Sequence, residues 1–117
     1  MKIKDLEQAL DIFEKKAIKH DELTKNGESS SKINYQYNGI IEAVKWIYKN
    51  DSLNSLKKFY KNSNLSVRSW AASFLLEIDT NNAEKILEEL ILLNDFNSKY
   101  LLMEWKAGTL NMSYFKD

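Results

Sequence analysis

The sequence contains no cysteine and no proline, and only three of its 117 residues are glycine. The absence of cysteine excludes a disulfide scaffold, a thiolate metal site and a cysteine nucleophile. The absence of proline and the scarcity of glycine exclude collagen, a proline-rich ligand and a glycine-rich phosphate loop. The longest apolar run, residues 90–93, is far too short to cross a membrane. We therefore expect a protein without membrane spans.

The sequence also has no excess of either charge, because 17 basic side chains balance 17 acidic ones. Residues 28–63 carry six lysines against three acids, whereas residues 64–117 carry five basic and eight acidic groups. Arg68 is the only arginine. Proteins that read phosphates or bases usually use guanidinium groups, so this composition argues against nucleic-acid recognition.

The remaining composition is that of an ordinary folded protein. Hydrophobic residues make up 44% and charged residues 29%, and the length matches one domain. The first residues, Met1 to Asp5, lack the apolar run of a secretory signal, so we expect a cytoplasmic location.

Apolar residues recur at helical spacing through nearly the whole chain, and no segment alternates with a period of two. The pattern predicts an all-α protein of about six helices. The first ends near residues 25–27 and the second near Asn50, and the others begin near residues 52, 64, 81 and 97. We expect Asn81 and Glu84 to form a capping box. Residues 109–117 are predicted to be an extended tail, held by Tyr114 and Phe115.

These helices are expected to form antiparallel pairs, because short polar turns join them. We predict a single domain over residues 1–117, with a helix pair at 1–50, further helices at 51–108 and a tail at 109–117. Stacked pairs of this kind form an α-solenoid. A closed helical bundle is the alternative.

The segment Asn64 to Leu76 resembles the second half of a HEAT repeat. In that pattern a capping Asn or Asp precedes Val-Arg, then paired alanines and a leucine, here Val67, Arg68, Ala71, Ala72 and Leu75. We expect the apolar members to pack inward, and the small alanines allow a neighbouring helix to approach closely.

The wider chain, from about Leu6 to Leu110, resembles a small uncharacterised bacterial family of HEAT-like domains of unknown function. The resemblance rests on four stretches: His20; Gly27 with Asn34 and Tyr37; the segment at Val67, Ala71 and Ala72; and residues 98–110, which include Trp105 and Gly108. It implies an all-helical fold and no established activity. It also implies an association with toxin immunity, since small proteins of this kind are often found beside polymorphic toxins.

His20 is the only histidine, and it extends the apolar stripe of the first helix. A single histidine without cysteine cannot form the usual zinc site. We therefore interpret His20 as partly buried and structural, hydrogen-bonded to a backbone carbonyl or to the helix that carries Asn34 and Tyr37.

Two groups of charged residues are candidate contact surfaces. The acidic group contains Glu77, Glu84 and Glu88, which we expect on a solvated face that could dock a basic partner. The basic group contains Lys57, Lys58 and Lys61, with Lys45 and Lys49 upstream. With Tyr60 and Trp70 interleaved, it would support weak, salt-dependent binding to nucleic acid.

The chain has three tryptophans, and Trp is enriched among binding hot spots. Trp105 lies on the predicted core side of the last helix, whereas Trp46 and Trp70 lie beside the apolar stripes of their helices. Trp70 is therefore a candidate interface anchor. We expect the neighbouring Arg68 to pair with an acid on an adjacent helix.

The sequence thus predicts a non-enzymatic protein-binding module, with no catalytic residue, cofactor or metal. The most specific hypothesis is an immunity-type protein that neutralises a bacterial toxin through the acidic stretch 77–89 or the edge 57–70. The alternative is a weak nucleic-acid-binding protein that uses residues 45–61. We expect a monomer or a homodimer, and the homodimer would be built on an exposed Trp46 or Trp70.

Overall fold

A computed structural model describes residues 2–111 and 115–116, and most of these residues are helical. Five α-helices and one 3-10 helix occur, and no strand is found in the described ranges. The prediction of an all-α protein with six helices is confirmed. In chain order they are α1 (Leu6–Lys25), α2 (Ser30–Lys49), the 3-10 helix (Leu53–Lys61), α3 (Leu65–Leu75), α4 (Thr80–Leu92) and α5 (Phe96–Ala107).

Short polar side chains cap the first three α-helices at their N-termini, because the first backbone N–H groups of a helix have no partner within it. Asp5, Ser29 and Asn64 accept hydrogen bonds from backbone N–H groups three residues later, at 2.8, 3.4 and 3.1 Å. Gly27 lies just beyond α1 and Gly108 caps α5, both with a positive φ that favours glycine. The predicted end of the first helix near residues 25–27 is confirmed.

The 3-10 helix follows from a spacing of three in its apolar residues. Leu53, Leu56 and Phe59 are all buried, and a 3-10 helix places residues three apart on one face. An α-helix would spread the same residues over a wider arc.

The predicted capping box at the start of α4 is wrong. The helix begins at Thr80, so Asn81 lies within its first turn, and Asp79 occupies the N-cap position. Thr80 donates from its hydroxyl to the carbonyl of Leu76 at 2.6 Å. Glu84 binds a side chain of α5 instead of reaching back to the helix start.

The described residues group into two compact units. The first unit contains residues 2–55 together with Phe115 and Lys116. Helix α1 packs against α2, and the four-residue turn between them gives an antiparallel pair. Their buried apolar residues are Ala9, Phe13, Ala17, Ile40, Ala43, Val44 and Ile47.

The C-terminal segment is anchored in the first unit by Phe115. Its side chain is buried, and its ring meets the ring of Tyr48 edge-on, with centroids 5.6 Å apart. This confirms the predicted anchoring role of Phe115. Tyr114 lies outside the described residues.

The second unit contains residues 56–111, in which α4 contacts both α3 and α5. Val67, Ala71 and Leu75 are fully buried, as expected from the HEAT-like segment. The neighbouring Ala72 is fully buried as well. Leu87, Leu90 and Leu102 add apolar side chains from α4 and α5. Among the described residues, no helix is both long and apolar enough to cross a membrane.

Candidate functional site

The three residues that the resemblance brought together, His20, Asn34 and Tyr37, differ in exposure. His20 and Tyr37 are half-buried, and Asn34 is exposed. Burial lowers the pKa of His20, and the nearby Asp21 carboxylate partly opposes this shift. A cleft of about 580 Å³ lies between the end of α1 and the start of α2, and its lining includes Lys19, Leu23, Tyr35 and Gln36 but none of His20, Asn34 and Tyr37.

The described residues contain no cluster of three or more His, Asp or Glu side chains that could hold a metal ion.

The predicted acidic surface is partly engaged in contacts between α4 and α5. Glu84 is half-buried, and its Oε2 accepts a hydrogen bond from the indole Nε1 of Trp105 at 2.8 Å. Glu88 lies 3.8 Å from the Nζ of Lys106. Glu77 is exposed. Glu84 therefore positions a tryptophan, and Glu77 and Glu88 are the exposed members of the group.

The predicted basic group divides between the two units. Lys57, Lys58 and Lys61 are exposed and belong to the second unit, whereas Lys45 and Lys49 belong to the first. Tyr60, the aromatic residue expected to interleave with the lysines, donates its hydroxyl to Asp79 at 2.9 Å. Burial and this hydrogen bond raise the pKa of Tyr60. Tyr60 thus serves as a link between the 3-10 helix and the start of α4.

Arg68 and Trp70 also make local contacts. The Nε of Arg68 donates to the backbone carbonyl of Asn62, in the turn before α3. No ion pair between Arg68 and an acid is found among the described residues, so the expected pairing is wrong. Trp70 is half-buried, and its ring stacks on Phe74 one turn later, with centroids 6.0 Å apart. Trp46 is half-buried as well.

A buried chain of hydrogen bonds joins α3 to α5. The Oγ of Ser98 donates to a carboxylate oxygen of Asp95, and the Oγ of Ser69 lies 3.1 Å from the Oγ of Ser98. Ser98 is fully buried and Ser69 nearly so. Because buried hydroxyls are costly without partners, this chain ties the two helices together.

The most prominent surface feature is a row of exposed apolar side chains on α5. Phe96 is 72% exposed, Tyr100 64% and Met103 56%. Together with exposed Ala107 they follow one another at intervals of four, three and four residues, which places them along one side of the helix. We call these four residues the α5 face. Leu92 and Leu93, at the end of α4, are exposed as well, at 83% and 54%.

The α5 face was missed by the sequence interpretation, although a signal was present. Buried Ser98 and Leu102, with half-buried Trp105, define the core side of α5, roughly opposite the α5 face. A helix with apolar residues on two sides buries one of them in its own fold and leaves the other without cover.

Comparisons with protein-family models, with curated proteins and with solved structures gave no significant match to this chain.

Proposed function

We propose that the chain is a non-enzymatic protein-binding module and that the α5 face is one of its protein-binding surfaces. The observation that carries the proposal is the exposure of two large aromatic side chains and a methionine in one row on a regular helix. Aromatic residues and Met are enriched in protein interfaces, and a large contiguous apolar patch on a protein surface usually marks a binding site. A helix formed before binding also loses little conformational entropy when it docks.

Site-specific photo-crosslinking tests this surface directly. We would place benzoylphenylalanine at Tyr100 and, as a matched control, at Tyr35, which is 65% exposed on α2. Irradiation of producing cells should give a protein adduct from position 100 and little or none from position 35. Equal adduct yields from both positions, or none from position 100, would contradict the proposal.

We further propose that the module belongs to the HEAT-like family described above, with its helix pairs stacked as in a solenoid, and that it acts in the cytoplasm as an immunity-type protein against a bacterial toxin. This part rests on the sequence resemblance. The exposed carboxylates of Glu77 and Glu88 would contact a basic toxin surface, and the 57–70 edge is the other candidate contact.

Co-expression with the product of a neighbouring toxin gene tests the immunity proposal. The wild-type chain should co-purify with the toxin and restore growth. Glu77→Lys combined with Glu88→Lys should weaken protection, whereas Asp11→Lys, an exposed acid on α1, should not. A neighbouring gene without toxin character, together with no protection in co-expression, would refute it.

The alternative, nucleic-acid binding through residues 45–61, makes a different prediction. Three to five phosphate contacts would give weak duplex binding that decreases steeply with salt. A gel-shift titration at low and moderate salt should show no duplex binding if the module binds proteins only. A salt-sensitive shift that is lost in Lys57→Glu with Lys61→Glu would favour the alternative.

A further inference from the structure

We propose that the α5 face binds the same face of a second copy of this chain, with the two α5 helices parallel. This inference rests on the proposed function, because it names the partner of a surface already proposed to bind protein. The argument uses the spacing of the apolar residues, the charges beside them and the area they expose.

The α5 face has the spacing of a coiled-coil seam. Phe96 and Met103 occupy the d positions of a heptad, and Tyr100 and Ala107 occupy the a positions. All four are exposed, whereas buried Ser98 occupies an f position and buried Leu102 a c position, both away from the seam. The helix can therefore offer its a and d positions to another helix without disturbing its own core.

The charges beside the seam favour a parallel arrangement. Exposed Lys99 occupies a g position, and exposed Glu104 follows five residues later at an e position on the other side of the seam. In a parallel pair, a g residue meets the e residue five positions further along the partner helix. Lys99 of each copy would then face Glu104 of the other. Neither side chain forms an ion pair within the described residues.

An antiparallel pair would place like charges together. In that arrangement the g residues of one helix face the g residues of the other. Lys99 and Lys106 both occupy g positions, so Lys99 of one copy would lie near Lys106 of the other. Like charges across an interface oppose association. The pattern therefore selects the parallel orientation.

The exposed apolar area suits the centre of an interface. With about 200 Å² for a fully exposed side chain of this size, Phe96, Tyr100 and Met103 leave roughly 380 Å² uncovered. A standard protein interface buries about 800 Å² per partner, including its polar rim. In a symmetric pair these three side chains would form the apolar centre, with Lys99 and Glu104 in the polar rim.

Sedimentation equilibrium of the full chain and a set of charge variants tests the inference. The wild type should show a monomer–dimer equilibrium. Lys99→Glu and Glu104→Lys should each weaken dimerisation roughly tenfold, because each change replaces two attractions with two repulsions. The double variant should return to near the wild-type value. Lys4→Glu, at an exposed position just before α1, controls for net charge and should have no effect.

Three results would overturn the inference. A wild type that stays monomeric at all accessible concentrations would refute self-association. Tighter dimerisation in Lys99→Glu would indicate the antiparallel pair, because the new carboxylate would face Lys106. Dimerisation unchanged by Phe96→Ser, with the helical content of the variant retained by circular dichroism, would place the interface elsewhere.

The photo-crosslinking experiment at position 100 distinguishes a failure of this inference from a failure of the proposed function. An adduct of twice the chain mass supports both. An adduct with a different protein only would refute the second copy as occupant and leave the protein-binding function standing. The absence of any adduct would contradict both.

Discussion

Removing the hydroxyl of Ser98 should destabilise the protein more than any ordinary Ser→Ala change. The fully buried hydroxyl donates to the Asp95 carboxylate and meets Ser69. A hydrogen bond to a charged group contributes about 2 kcal/mol and one between neutral groups about 1 kcal/mol. Alanine regains about 0.5 kcal/mol through its higher helix propensity. We therefore expect Ser98→Ala to lower the free energy of unfolding by about 2.5 kcal/mol.

A double-mutant cycle of Ser69→Ala and Ser98→Ala gives a sharper test, because the effect of Ser69→Ala on stability should change sign between the two backgrounds. Ser69→Ala loses only the bond to Ser98 and should cost about 0.5 kcal/mol in the wild-type background. In the Ser98→Ala background that bond is already lost, so Ser69→Ala should stabilise the protein by about 0.5 kcal/mol. The double variant should then be about 2 kcal/mol less stable than the wild type.

Urea denaturation followed by circular dichroism at 222 nm measures these differences, with the denaturant slope compared among all variants. Ser63→Ala, an exposed serine in the turn before α3, should change stability by less than about 0.5 kcal/mol. Purely additive losses for Ser69 and Ser98, or a Ser98→Ala loss no larger than that of Ser63→Ala, would refute the buried chain of hydrogen bonds.

Three further predictions concern other parts of the molecule. Because its pKa is raised, folded Tyr60 ionises later than an unfolded tyrosine, so the free energy of unfolding should fall above about pH 10. Tyr60→Phe should remove this dependence, and it should cost about 2 kcal/mol at pH 7, because it loses a hydrogen bond to the Asp79 carboxylate; an unchanged alkaline dependence in urea melts would contradict this. Because the pKa of His20 is lowered, stability should fall as pH drops below 6.5, and His20→Gln should flatten that decline between pH 7.5 and 5.5; an equally steep decline in the variant would refute it. A Cβ at Gly39 would lie 3.0 Å from the Lys16 side chain. Gly39→Ala should therefore be near neutral alone, but it should stabilise the protein by about 1 kcal/mol in a Lys16→Ala background, as measured by thermal melts. No gain in that background would show that the Lys16 side chain does not offset the higher helix propensity of alanine.

Much of the fold was predictable because helix formation depends on short-range patterns. The apolar spacing along Phe13 and Ala17, or along Val67 and Ala71, repeats within a few residues and predicts the helix together with its buried side. Caps are equally local, so the roles of Asn64 and Gly108 were accessible from the sequence. The start of α4 was misplaced because Asp79, Asn81 and Asn82 are all residue types that cap helices well.

The candidate site was less predictable, because side-chain partners come from residues distant in sequence. Glu84 resembled a capping residue until the structure placed Trp105, 21 positions later, beside its carboxylate. We expected Arg68 to pair with an acid, but its Nε donates to the carbonyl of Asn62 in the preceding turn. Such choices depend on the relative placement of neighbouring groups, which helical spacing alone does not encode.

The sequence by itself determined that this protein is helical, where most helices begin and end, and that its charges cancel. Only the tertiary structure decided which side of α5 is covered. Leu102 and Met103 are adjacent and similarly apolar, yet one is buried in its unit and the other is exposed. The physical reason is that burial depends on whether another helix lies against a given side, and α5 has such a neighbour on one side only within its unit.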